Sequence, residues 1–210
     1  MTFYKKVGKR LFDIIFSVMF LPILLPFLCI GAVSVLLADG RPIFFKQKRV
    51  GQDGKLFTMW KFRTMYTDQS RFAAVVEKED RSTWTDGIPT TFVFKDNADD
   101  PRITPVGRWL RKTSLDELPQ IFNVLAGDMS IVGPRPETPS YVSYYSPYQM
   151  ARLNVKPGIT GWAQINGRSL INHGEKIECD RYYVAHYDFK MDVDILRKTV
   201  LQVAQRKGAY

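Results

Sequence analysis

The sequence predicts an α+β, predominantly helical fold: an N-terminal re-entrant membrane helix-break-helix, then a domain containing a small β-hairpin. Three patterns carry that prediction. They are 25 uncharged residues from Ile14 to Ala38, two strand-like runs around a glycine-bearing turn, and helically spaced apolar residues in the C-terminal half. A chain of 210 residues has room for one domain, or one domain with an appendage. The boundary falls between 1–40, the basic flank and membrane hairpin, and 41–210, with 80–100 as an inserted loop. Apolar residues at 45% and aromatics at 13% exclude a wholly disordered or collagen-like chain. Thirty basic against 21 acidic side chains give +9, which points to a polyanionic partner: nucleic acid, nucleotide or anionic lipid.

About 20 helical residues cross a hydrocarbon core of about 30 Å, so length alone lets Ile14–Ala38 span. A secretory signal is the first competitor, because Lys5, Lys6, Lys9 and Arg10 precede the run. The run is too long for one, and Asp39-Gly40-Arg41-Pro42 is a poor cleavage context. Pro22 and Pro26 each remove a backbone donor and bend a helix. Arg41, Lys46, Lys48 and Arg49 follow the run, so a strict span would export one basic cluster against the cytoplasmic preference of positive charge. A break at Pro26 keeps both clusters inside, with arms Ile14–Leu25 and Pro26–Ala38 about 18 and 20 Å long. An ordinary span and a buried core helix are the competing readings. Asp13, at the membrane boundary beside Arg10, reads as an ion pair or a cap rather than as a catalytic group.

Beyond the apolar run, Pro42–Arg49 and Lys55–Arg63 read as strands joined by Val50-Gly51-Gln52-Asp53-Gly54. Tyr66–Glu79 reads as helix, the polar stretch 80–100 as loop, and Gly107–Lys112 as a short basic helix. Leu118, Ile121, Phe122 and Leu125 give Leu115–Leu125 a helical period that stops at Gly127. Tyr141, Tyr144, Tyr145 and Tyr148 fit either a headgroup belt or packing against the domain. Asp192–Arg206 reads as an amphipathic helix with Val193, Leu196, Val200 and Val203 on one face. Cys29 and Cys179 read as reduced, buried thiols, and His173 and His186 as structural.

Adjacent carboxylates, Asp116 and Glu117, stand at a helix start in Arg111-Lys112-Thr113-Ser114-Leu115-Asp116-Glu117-Leu118-Pro119-Gln120. A structural reading is available, since Ser114-x-x-Glu117 fits a capping box and acids in a first turn complement the helix dipole. The surroundings favour chemistry. Gly133-Pro134-Arg135-Pro136 and Lys156-Pro157-Gly158-Ile159-Thr160-Gly161, leading to Asn166-Gly167-Arg168, supply close backbone approach, fixed loops and planar phosphate-binding forks. Carboxylates beside arginines suit a phosphate ester with a metal ion, and an ionised Asp attacks phosphorus without a separate base. The P-loop, H-E-x-x-H and cysteine–histidine metal patterns are missing from the sequence.

These motifs, together with Lys9-Arg10-Leu11-Phe12-Asp13, Lys61-Phe62-Arg63-Thr64-Met65 and Gly127-Asp128-Met129-Ser130-Ile131-Val132, resemble the small monotopic phosphoglycosyl transferases of the bacterial sugar transferase family nearly end to end. The resemblance implies transfer of a phosphosugar from a UDP-sugar to polyprenol (undecaprenyl) phosphate, with UMP released through a covalent phosphosugar–aspartate. It makes Asp116 the nucleophile and a direct contact of Mg²⁺, and gives Glu117 a supporting role. Arg111, Arg135, Arg168, Lys61 and Arg63 map to phosphate or substrate binding, and Glu178 and Asp180 to further acidic positions of the site. It also implies a cytoplasmic catalytic domain on the bacterial inner membrane. The partners are UDP-sugar, polyprenol phosphate and membrane lipids, with a homodimer allowed and no nucleic acid. Three features depart from the family pattern: Leu25-Pro26 where a Ser-Pro pair is usual, His173 near an expected tryptophan, and a longer 80–100 segment.

Two other function classes compete. A non-enzymatic, membrane-anchored basic binding or scaffold protein accounts for the charge and the anchor, but not for the Gly-Pro-Arg motifs. A nucleotide-sugar hydrolase would form UMP without a lipid acceptor.

Overall fold

The computed structural model of the chain describes residues 3–68, 80–93, 100–167 and 171–205. It is a mostly helical α+β arrangement with two small sheets. A π-type turn at Tyr4–Gly8 leads into α1 (Lys9–Asp39), followed by the hairpin strands β1 (Phe44–Val50) and β2 (Leu56–Phe62). Next come α2 (Pro105–Lys112), a 3₁₀ turn at Leu115–Glu117, α3 (Gln120–Ala126) and β3 (Ser130–Val132). Two one-turn helices, α4 (Pro139–Val142) and α5 (Pro147–Met150), precede β4 (Gly158–Thr160) and α6 (Trp162–Asn166). The chain closes on α7 (His173–His186) and α8 (Phe189–Ala204). Most of the helix expected over Tyr66–Glu79 lies outside the described residues.

β1 and β2 pair antiparallel, Phe44 opposite Phe62 and Val50 opposite Leu56, while β3 and β4 pair in parallel. Side chains alternate along β2, so its two faces serve different neighbours. Phe57 and Met59 enter the main core with Ile121, Val124, Met129, Ile131 and Ile195. Phe62, on the other face, joins Leu28 and Val35 of α1 and Leu110 of α2 in a second cluster. Gly31 permits that contact, because a Cβ there would stand 2.6 Å from the Phe62 ring.

α1 is one helix of 31 residues that passes through Pro22 and Pro26, in place of the helix-break-helix expected at Pro26. Proline bends a helix without having to end it, and α1 packs on the domain on both sides of Pro26, through Leu21 and Leu24 before it and Leu28 after it. Asp13, Ser17, Leu28, Gly31 and Val35 are buried, and Leu21 and Leu24 pack on the core between them. Outward lie Ile14, Ile15, Val18, Met19, Ile23, Phe27, Ile30 and Val33, all exposed. Among the described residues this is the one helix long and apolar enough to cross a membrane.

The N-terminal turns of α1 are tied to the domain by charge. Arg10 donates to the carbonyls of Val124 and Leu125 at 2.5 and 2.8 Å, where the C-terminus of α3 carries negative dipole. Asp13 does not pair with Arg10 or cap its own helix. It is buried and accepts from Ser130 Oγ at 2.8 Å and the Ile131 amide at 3.0 Å. Asp192 gathers Lys9 Nζ at 2.6 Å, Tyr4 Oη at 2.5 Å and Tyr183 Oη at 2.8 Å. That junction sets the roll of α8. With Asp192 and Ile195 inward, Val193, Val200 and Val203 of the predicted apolar face are exposed.

The tyrosine group mostly packs inward. Tyr141 and Tyr144 hold the buried Trp84, whose segment 80–93 therefore docks on the domain, and Tyr145 Oη accepts from the buried Arg152 Nη1 at 2.7 Å. Tyr148 is exposed beneath Arg181. Both cysteines are free thiols, but Cys29 is exposed on the outer face of α1 and Cys179 only half-buried, so neither is the buried thiol expected.

Candidate active site

The dyad sits where three elements meet. Period-two alternation puts Lys61 on the β2 face of Phe57 and Met59, so its stem follows the core and its ammonium emerges beyond it. α3 is fastened to the same strand by Asn123, whose amide accepts from the Trp60 N–H at 3.1 Å and donates to the Thr58 carbonyl at 2.8 Å. The turn Leu115–Glu117 precedes α3 and is thereby held beside Lys61. The segment leaving β3 brings Arg135 to the same place.

The capping box of the competing structural reading does not form at Ser114. Ser114 has left-handed backbone (φ 57°) and makes no side-chain cap. This is a costly conformation for a side-chain-bearing residue, and it stands two residues before the carboxylate pair. On a 3₁₀ turn consecutive side chains diverge by about 120°, so the neighbouring acids meet different surroundings. Glu117 is committed: Oε1 accepts from Lys61 Nζ and Arg135 Nη2, both at 2.6 Å, and Oε2 from Arg135 Nη1 at 3.2 Å. Asp116, only 9% exposed, receives no hydrogen bond and no ion pair within 4 Å from the described residues.

Electrostatics separates the two groups. Burial lifts the Asp116 carboxyl and the Glu117 anion lifts it further; Lys61, Arg135 and Arg111 oppose, leaving it at about 6. Burial alone would lift Glu117 too, but the Arg135 and Lys61 cations hold it well below the carboxylate range. The result is a buried, nearly bare carboxylate beside a permanently ionised one that keeps two cations in place. Among the described residues no three His, Cys, Asp or Glu side chains converge to cage a metal. A single uncommitted carboxylate does fit Mg²⁺, which commonly binds through one or two carboxylates plus substrate phosphates.

The structure thus brings together Asp116, Glu117, Lys61 and Arg135. Arg111 is adjacent, its Nε donating to Thr64 Oγ1 at 3.0 Å and its charge acting on Asp116. Arg63 is elsewhere: buried, it donates to the Asp39 and Gly40 carbonyls at the end of α1, at 2.6 and 3.0 Å. Glu178 accepts from Tyr148 Oη at the surface, and Asp180 is buried against Arg152. Arg168 lies outside the described residues. Sequence reading passes over Arg49 and Glu137. Arg49 counts there only as a membrane flank, yet it donates to the Pro136 carbonyl at 3.0 Å and lies 3.8 Å from Glu137, one residue beyond that proline. Its place as the last charge before the hairpin turn, opposite Phe57, is the only signal the sequence carries for it.

Comparison with known proteins identifies the family. The sequence profile of the bacterial sugar transferase family matches residues 4–206. The chain is 42% identical over 200 residues to the uncharacterized sugar transferase EpsL of Bacillus subtilis, covering 95% of this chain and 89% of that protein. It is 42% identical over 205 residues to the undecaprenyl-phosphate galactose phosphotransferase of Salmonella typhimurium, covering 96% of this chain and 41% of the relative. Against the UDP-glucose:undecaprenyl-phosphate glucose-1-phosphate transferase of Escherichia coli the identity is 39% over 210 residues, with 96% and 41% coverage. The chain therefore spans about two fifths of the latter two proteins and nearly all of the first. A profile match from residue 4 to 206, with the dyad and its cations inside it, means that this chain belongs to the bacterial sugar transferase family.

Proposed function

We propose that this chain is a membrane-bound phosphoglycosyl transferase that moves a sugar-1-phosphate from a UDP-sugar to undecaprenyl phosphate, releases UMP and so begins polysaccharide assembly. The observation that carries the reading is the division of the dyad: Glu117 holds the cations, and Asp116 is left free to react. The substrates named for the Salmonella and Escherichia coli relatives support the same reading.

In the first half-reaction an ionised Asp116 oxygen attacks the sugar-bearing phosphorus, the bridging P–O bond breaks, and UMP leaves with the electron pair. In the second, an oxygen of the lipid phosphate attacks the same phosphorus, and the Asp116 carboxylate departs as it began. Arg135 and Lys61 place positive charge beside the reacting phosphate, and Arg111 adds to it. Mg²⁺, held by Asp116 with the donor's diphosphate, would supply charge neutralisation between the two anions. The test is UMP release from a panel of UDP-sugars. It should depend on both a divalent ion and undecaprenyl phosphate. Without the lipid, release should stop at about one equivalent per chain; continued turnover without it would mark a hydrolase, and no release with any sugar would reject the transferase.

The anionic form of Asp116 is the reactive one, so kcat/KM should rise with pH through about 6 and fall about tenfold per unit below it. A pH–rate profile flat from 5 to 8 would show that another group attacks.

Membrane attachment is monotopic in this reading. Asp13 and Val35 both contact the domain, about 33 Å apart along the helix, and that separation exceeds the hydrocarbon thickness. A spanning α1 would drag the domain into lipid. With its outer face in lipid instead, both ends of α1 stay on one side, and the exposed apolar face of α8 lies beside it through Phe12 and Phe189. The basic flanks make that side the cytoplasmic face of the bacterial inner membrane. In a background of Cys29→Ser and Cys179→Ser, cysteines placed at Lys6 and Arg41 should both react with an impermeant maleimide from that side only. Labelling from opposite sides would establish a span.

A further inference from the structure

Arg135 is the one dyad partner that comes from an irregular segment, and that segment is held by more than its own chain. From Pro134 to Glu137 every carbonyl has a donor from elsewhere: Gly158 N for Pro134 at 2.9 Å, Arg152 Nη2 for Arg135 at 2.9 Å, Arg49 Nη1 for Pro136 at 3.0 Å, and Val50 N for Glu137 at 2.9 Å. Only one of the two guanidinium struts is fully enclosed. Arg152 is 1% exposed. Its Nε meets Asp180 Oδ2 at 2.8 Å, its Nη1 meets Tyr145 Oη at 2.7 Å, and its Nη2 is shared between Asp180 and the Arg135 carbonyl. A buried charge at this depth is retained in a fold only when its partners are fixed, and here they come from α7 and from the segment that carries Arg135.

We propose that Arg152, clamped by Asp180, is a positioning residue for the transferase site, holding the Arg135 backbone so that its guanidinium is aimed at Glu117 and the incoming phosphate. This rests on the transferase reading. It gives Asp180 a role that its burial allows: it acts through Arg152 and touches no substrate. The path runs from Asp180 through Arg152 and the Arg135 carbonyl to the Arg135 side chain, and thence to Glu117 at 2.6 Å. Arg152 is planar and forked, so one side chain spans three acceptors. A lysine keeps the charge opposite Asp180 but cannot reach all three.

The test is a double-mutant cycle on kcat/KM for UMP release, with thermal melting of each solubilised variant alongside. Arg152→Lys should lower kcat/KM by about 10- to 100-fold, the loss expected when a reacting group is displaced by about 1 Å. In an Arg135→Ala background the same change should cost less than about threefold, because the residue it positions is already gone. Asp180→Asn should behave the same way, more weakly. Should a lone buried charge prevent folding, the paired change Arg152→Met with Asp180→Leu removes both charges together. It should melt cooperatively and show the same masked loss. A purely structural role predicts lower melting temperatures with losses that add across the cycle, and that result would overturn the proposal, as would full activity in Arg152→Lys. A parent chain that releases no UMP overturns the transferase reading and this proposal with it, whereas an active parent with additive losses overturns this proposal alone.

Discussion

Asp116→Asn should abolish UMP release, by about 10³-fold or more, and at the same time give a protein that melts at a higher temperature than the parent at pH 8. The two effects have one cause. Asp116 is buried with no hydrogen bond from the described residues and lies beside the Glu117 anion, so its charged form is disfavoured in the folded state and its carboxyl rises to about 6. Unfolded, it would ionise near the ordinary carboxylate value of about 4. The folded protein therefore binds this proton more tightly. Stability from the group is present at low pH, is lost as pH rises between those two values, and stays lost above about 6. Asparagine fills the same space without the charge and regains an amount on the order of 2 kcal/mol, or several degrees of Tm in a chain of this size. The gain should shrink to nothing toward pH 4, where the parent carboxyl is also neutral. Asp116→Asn melting equal to or below the parent at pH 8 would mean that the carboxylate has a partner that compensates its burial.

Glu117→Gln is the second large effect, and its signature is a displaced pH profile. The substitution keeps the shape and removes the anion that Lys61 and Arg135 converge on. We expect kcat/KM to fall by about 10²- to 10³-fold as those cations lose their common anchor. Stability should fall by about 1–2 kcal/mol, less than the roughly 3–5 kcal/mol of a fully buried pair, because Arg135 is 42% open to solvent. The repulsion that lifts Asp116 also disappears while both cations remain. The acidic limb of the rate profile should therefore move below pH 6, toward the ordinary carboxylate range. A helix-capping role for Glu117 predicts neither the rate loss nor the displaced limb, and an unmoved limb would separate the two acids electrostatically.

The α8 helix shows how far a periodic pattern can be trusted. Its apolar residues Val193, Leu196, Val200 and Val203 share one face at helical spacing, but Asp192 collects Lys9, Tyr4 and Tyr183 from distant parts of the chain and turns itself and Ile195 inward, leaving most of that face exposed. An apolar stripe reports that a face avoids water; it does not say whether protein or lipid covers it. The same ambiguity governs α1, where proline and flanking charge argue for a break, yet packing of Leu21, Leu24 and Leu28 across Pro26 keeps one helix.

By itself the sequence determined the elements whose signals are local: the uncharged run, the glycine-bearing hairpin, and the adjacent acids framed by Gly-Pro-Arg loops on which the proposed chemistry rests. Those features depend on residue order over short spans, and order is what a sequence records. Tertiary structure alone decided which charges face one another. Arg63 and Arg135 look alike as basic residues in family-like motifs, but one ends on the carbonyls of α1 and the other on Glu117. Asp116 and Glu117 are consecutive, yet only the second forms ion pairs, because a 3₁₀ turn sends them in different directions and Glu117 alone meets Lys61 of β2 and Arg135 beyond β3. Coulomb interactions and burial depend on distances across the fold, and those distances are set by packing among segments that the sequence keeps far apart.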